Sequence, residues 1–87
     1  MVKIIEDIGT DFDHSIKILE ANDAFEGVRT EYEYLNKKFG VRDIDWNLII
    51  QMMTQKDDRC FDVFNIMLKD NSVVSVYFDV TDFLGKY

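Results

Sequence analysis

The sequence predicts an α+β fold in which one amphipathic helix packs on an antiparallel sheet of about four strands, in the order βαβββ. Apolar residues recur every three or four positions over residues 23–39, and they alternate with polar residues in several segments after residue 44. Short turn-forming segments separate these stretches. A chain of 87 residues has room for one compact core, so we expect residues 1–87 to form a single domain.

The helix is predicted from about Asp23 to Phe39. Asn22 or Asp23 marks its start, with Glu26 three residues after Asp23 in a capping-box pattern, and basic residues followed by Gly40 mark its end. A glycine inside the first turns, Gly27, destabilises a helix, so we expect it to allow a neighbouring element to approach closely.

One stripe of the helix carries its apolar side chains, and this stripe is expected to face the sheet. The stripe consists of Phe25, Val28, Tyr32, Leu35 and Phe39. Tyr34 lies off the stripe, where a second exposed aromatic side chain is expected.

Three strands are predicted after the helix. Residues 44–53 alternate as a half-buried strand does, although Trp46, Ile49, Ile50 and Met53 would also fit one helical face. The polar turn at residues 55–58 and the β-prone segment 60–68 favour the strand. Residues 70–72 then connect to a strand at 73–78, because an Asp-Asn pair tolerates the positive φ of a tight hairpin.

The N-terminal region is predicted to supply the first strand at residues 15–19, directly before the helix. A helix from Thr10 with Phe12, Ile16 and Leu19 facing inward is the alternative. Residues 1–8 add a short edge strand or fold over the sheet, and residues 81–85 form a closing turn that places Phe83 on the core.

The net charge of −7 is spread along the chain without a basic patch. Nucleic-acid binding and anionic membrane surfaces are therefore disfavoured, because both depend on Lys and Arg. The single cysteine, Cys60, excludes an internal disulfide and points to the cytosol. The start of the chain lacks the apolar stretch of an export signal, and no segment reaches the ~18 apolar residues of a membrane span.

A metal site is the first chemical alternative, since Asp11 and Asp13 precede the only histidine, His14. Neither calcium-loop nor zinc spacing is present, so a polar turn capped by the Asp side chains is the simpler interpretation. A small metal-dependent enzyme or metal binder centred on Asp11, Asp13 and His14, with Asp79 or Asp82 nearby, is the second hypothesis. The four glycines are isolated, which excludes a Gly-rich phosphate loop, and no cofactor is predicted.

The remaining feature is the sheet face that points away from the helix. With Trp46, Leu48 and Ile50 on the helix side, this face would be apolar where a solvated face should be polar. Its predicted contact residues are Ile49, Met53, Val63, Met67, Val73 and Tyr77. The leading hypothesis is therefore a small acidic cytosolic binding module that uses this face to form a homodimer or to hold a regulatory protein partner. The alternative is that residues 1–21 cover the face as a third layer.

Overall fold

One helix packs on a five-stranded mixed sheet in the computed structural model, which describes residues 2–83. The elements are β1 (Lys3–Ile5), β2 (Ile16–Leu19), α1 (Ala24–Phe39), β3 (Trp46–Lys56), β4 (Arg59–Leu68) and β5 (Val73–Asp79). The strands lie side by side in the order β1-β2-β5-β4-β3. The α+β class with a single helix is confirmed, whereas the prediction of about four strands, all antiparallel, is wrong in two respects.

The two differences have separate causes. First, residues 3–5 pair antiparallel with β2 and add a fifth strand, which gives the order ββαβββ and confirms the edge-strand alternative. Second, β5 pairs parallel with β2. The helix returns the chain so that β3 runs parallel to β2. The chain then reverses its direction twice, between β3 and β4 and between β4 and β5. The last strand therefore runs parallel to β2 when it inserts beside it.

Both ends of α1 carry the predicted caps. The Asp23 carboxylate accepts a hydrogen bond from the Glu26 N–H over 2.8 Å, and the Glu26 side chain accepts one from the Asn22 N–H over 2.9 Å. At the other end Gly40 adopts φ 103° and donates its N–H to the Asn36 carbonyl. These contacts satisfy backbone groups that the helix ends would otherwise leave unpaired.

The face of α1 that packs on the sheet keeps four residues of the predicted stripe, Val28, Tyr32, Leu35 and Phe39, and extends beyond them. Phe25 is 77% exposed, whereas Tyr34, expected at the surface, is only 8% exposed and packs edge-to-face on Phe78. The helix approaches the Phe83 ring closely at Gly27, where a Cβ would lie 2.6 Å from that ring. The predicted close approach at Gly27 is confirmed, as is the turn that buries Phe83; residues 84–85 of that turn lie outside the described residues.

Residues 46–56 form a strand, as the alternation favours. It begins at Trp46 because residues 41–45 turn first, with Asp43 at φ 69° and the Asp45 carboxylate accepting from the Val41 N–H. The β4-β5 hairpin is also confirmed: Asn71 has φ 71°, and the Asp70 carboxylate accepts from the N–H and hydroxyl of Ser72. The buried core lies between α1 and the sheet.

Candidate functional site: the outer sheet face

The outer sheet face, opposite α1, is set by the alternation along β4. Phe64 belongs to the core and contacts Tyr32 of the helix edge-to-face, so its neighbours in sequence point the other way. Val63 and Met67 therefore lie on the outer face together with Phe61. Val63 is 5% exposed because the side chains around it cover it, whereas Met67 is half-buried.

The neighbouring strand β5 continues the outer face. Val73 pairs with Met67 and is 56% exposed, and Tyr77 pairs with Val63 and is half-buried. Between these two pairs the Ser75 hydroxyl donates to the Asn65 side chain over 2.6 Å. The middle of the outer face thus holds one neutral polar pair, Ser75 and Asn65, and apolar side chains lie on either side of it along the strands.

A β-bulge decides which residues of β3 reach the outer face. The register shifts between Leu48 and Ile50, so that Leu48 pairs with Ile66 and Ile50 pairs with Asn65, which leaves Ile49 as the extra residue. Ile50 consequently points outward, although the uninterrupted alternation had placed it on the helix side.

The same shift changes the predicted contact set further along β3. Met53 pairs with Asp62 and so lies on the helix side, whereas Met52 pairs with Val63 on the outer face. The outward placement of Met53 is therefore corrected to Met52. Ile49 itself is 50% exposed at the bulge, and Ile50 and Met52 are 44% and 45% exposed.

One side chain from the N-terminal region covers part of this face. Phe12 packs edge-to-face on Phe61 and Tyr77, with ring centroids 4.9 and 5.0 Å apart, and the Lys56 ammonium lies 5.0 Å from the Phe12 ring. Residues 3–5 and 16–19 lie within the sheet as β1 and β2 rather than across it. Residues 2–21 therefore form no complete third layer, but the segment between β1 and β2 covers the end of the face at Phe61 and Tyr77 through Phe12.

An ion pair lies at the same end of the outer face. The Arg59 guanidinium donates to the Asp79 carboxylate over 2.5 Å, and Asp79 is 3% exposed. Burial works to raise the pKa of Asp79, but the hydrogen bonds from Arg59 and Thr81 outweigh burial and hold that pKa below its usual value. The carboxylate is thus paired within the protein.

The sequence cluster proposed to bind a metal forms a hydrogen-bonded turn. The Asp11 carboxylate accepts from the N–H of His14 and contacts its Nδ1, both over 2.8 Å. The hydrogen bond between the two side chains lowers the pKa of Asp11 and raises that of His14. In residues 2–83 no three His, Cys, Asp or Glu side chains come together as metal ligands, and Asp79 is held by Arg59. This geometry favours the capped turn over a metal centre.

A second carboxyl pair, missed in the sequence, lies inside the core. Glu31 of α1 is 0% exposed and Asp62 of β4 is 4% exposed. No donor among the described residues reaches either Glu31 oxygen, and its polar neighbour is the Asp62 carboxyl. Two carboxyls hydrogen-bond only when one carries a proton. Burial, followed by the Asp62 contact, raises the pKa of Glu31 to about 11, so its carboxyl is neutral at pH 7.

The sequence does contain a signal for this burial. Glu31 follows Gly27 by one helical turn and precedes Leu35 by another, so it lies on the line where the helix comes closest to the sheet. The pair is enclosed, and the surface grooves beside α1 are lined by its neighbours Thr30 and Tyr34 instead. A substrate has no access to these carboxyls, so we assign them to the core.

The chain matches no family model, no curated protein and no solved structure. Over the residues that the structure describes, no helix is both long enough and apolar enough to cross a membrane.

Proposed function

We propose that this protein is a binding module that associates with another protein chain through its outer sheet face. The observation that carries the proposal is the run of exposed apolar side chains there: Ile50, Met52 and Val73 keep 44–56% of their surface in water. A sheet face in contact only with water is ordinarily polar, and a contiguous apolar patch marks an interface.

The arrangement of polar groups supports the same role. The charged residues on this face are at one end, around Arg59 and Asp79, while the Ser75–Asn65 pair satisfies itself in the middle. A partner can therefore bury the apolar side chains without removing an unpaired charge from water, which is the costly step in forming an interface. Either a second copy or a different protein would meet this requirement.

Photocrosslinking with a matched control tests the proposal. A benzophenone amino acid replaces Val73 in one variant and Val41 in another, since both valines are 56% exposed and Val41 lies in the loop after α1. We expect covalent adducts in cells from position 73 and none from position 41. Equal adduct formation at the two positions, or none at position 73, would exclude the outer face as the interface.

A further inference from the structure

The strand β3 has one edge that no other strand within residues 2–83 occupies. It is the last strand of the sheet and is eleven residues long, while the opposite edge strand, β1, has three residues. Among residues 2–83 β3 pairs with β4 only, apart from one isolated bridge between Arg42 and Trp46. Alternate N–H and C=O groups on the free edge of β3 therefore point to solvent, ready to pair with a further strand.

The usual protections of an edge strand are almost absent from β3. Residues 46–55 contain neither a charged residue nor a proline, in a chain of which 31% is charged. The protective devices of β3 are the bulge at Ile49 and a lysine at its last position, Lys56, and between them the register with β4 is regular. Residues 50–56 thus offer an uninterrupted edge, with Met52 and Met53 exposed on opposite faces of the sheet.

The charges around this edge select the kind of partner. Asp43, Asp57 and Asp58 flank the uncharged run and form no ion pair with any described residue. The basic residues nearby already contact groups of the protein: Arg42 on Tyr32, Lys56 on Phe12, Arg59 on Asp79 and Lys69 on Asp45. Arg42 and Lys56 keep their positive charge over these neutral rings, so the unpaired charges beside the edge are three acids and two bases. The negative excess lies at the end with Asp57 and Asp58.

A second copy of the chain fits this edge poorly. An antiparallel pair of β3 strands over their full length, with Trp46 opposite Lys56, sets Asp57 of one copy opposite Asp45 of the other, and a parallel pair sets each Asp beside its counterpart. Like charges placed opposite each other on paired strands are destabilising. Both arrangements also join two chains of net charge −7.

We propose that the free edge of β3 accepts an extended segment of a basic protein, in which apolar side chains alternate with small polar ones and Lys or Arg residues lie at the ends. Main-chain hydrogen bonds to residues 50–56 supply the affinity, and the flanking Asp residues favour the basic ends. This inference rests on the proposed function, because it names the partner of the same binding module; Ile50 and Met52 belong to both the edge and the outer face.

The probe is a synthetic peptide of alternating threonine and valine with two lysines at each end. We expect it to bind the full chain at concentrations below ~1 mM and to shift the amide resonances of residues 50–56. Methylating alternate backbone nitrogens of the peptide abolishes strand pairing without changing its charge, and should abolish binding. Replacing its lysines with glutamates should do the same.

Variants of the protein complete the test. Neutralising the turn acids with Asp57→Asn and Asp58→Asn should weaken binding about two- to tenfold, the effect expected of one or two exposed charge pairs. Met53→Lys should weaken binding more than Ile44→Lys, which adds the same charge at a side chain of similar exposure, 69% against 65%, outside the strand. Urea midpoints confirm that each variant is folded.

Three results overturn the inference: no binding of the basic peptide, equal binding of the N-methylated or glutamate peptide, and light scattering that shows a dimer broken by Met53→Lys alone. The third result would make a second copy the occupant of the edge. Adducts at position 73 without peptide binding would leave the outer face as the interface and exclude the edge, so the two proposals fail separately.

Discussion

The buried Glu31 carboxyl makes the stability of this protein depend on pH in an unusual direction. Burial and the Asp62 contact raise the pKa of Glu31 from its ordinary value of 4.5 to about 11 in the folded protein. A folded-state pKa above the unfolded one gives stability that is fully present below pH 4.5 and is lost as the pH rises. The loss continues until the pH passes the folded pKa.

The size of the effect follows from linkage. While the folded protein holds the Glu31 proton and the unfolded chain has released it, stability falls by about 1.4 kcal/mol per pH unit. Between its ordinary pKa and neutral pH this amounts to about 3 kcal/mol, a large fraction of the stability of a small domain. The result requires only that the folded pKa of Glu31 lies above 7.

Glu31→Gln isolates this contribution. Glutamine has nearly the same shape, stays neutral at every pH, and can donate its amide N–H to Asp62. We expect the variant to match the wild type near about pH 4.5 and to be more stable at pH 7 by up to about 3 kcal/mol. The pKa of His14 is also raised, but its contribution to the pH dependence of stability is the same in both proteins and cancels when they are compared.

Urea unfolding at several pH values between about 5 and 8 measures the difference. Trp46, the only tryptophan, is a suitable probe because it is 1% exposed and its indole N–H donates to the Gly40 carbonyl over 2.9 Å. Parallel pH profiles for the two proteins would show that Glu31 is ionised in the folded state, and would refute the reasoning.

Two further substitutions test the packing around the sheet. Gly27→Ala should destabilise by about 1–3 kcal/mol, because its Cβ meets the Phe83 ring; a rise in the urea midpoint would mean that helix propensity outweighs the clash. Arg59→Met leaves the buried Asp79 carboxylate without its cation and should cost about 1–3 kcal/mol at neutral pH. Because the pKa of Asp79 is lowered in the folded protein, this cost should shrink in urea titrations as the pH falls through that pKa; a pH-independent cost would point to lost packing instead.

Local signals in the sequence were sufficient for the features that depend on neighbouring residues. The Asp23 cap, the Gly40 terminus and the turn at Asn71 each involve contacts over a few positions, and the structure confirms all three. The alternation in 46–56 predicted a strand for the same reason, since period two is a property of one segment.

The features that the sequence did not predict depend on distant contacts. The pattern within the helix placed Phe25 inward and Tyr34 outward, the reverse of what is found, because that pattern does not identify the distant residues against which the helix packs. The bulge at Ile49 reverses the facing of Ile50 and Met53 without any glycine to mark it. The parallel pairing of β5 with β2 likewise depends on where the last strand inserts. The apolar character of the outer face was therefore predictable, but the β3 residues that belong to it were not.

The position of β5 also has a consequence for synthesis on the ribosome. This strand lies between β2 and β4 and alone joins the N-terminal part of the sheet to the β3-β4 hairpin. Until residues 73–79 have emerged, β2 has no central strand beside it, and only α1 can cover the inner side chains of the hairpin, through contacts such as that of Tyr32 with Phe64. Folding must therefore finish after most of the chain has been made, in a step that closes contacts of high sequence separation. During that interval β3, whose residues 46–55 carry no charge, is free on both edges until β4 pairs with it, and unpaired strand edges make a partly folded chain prone to aggregate.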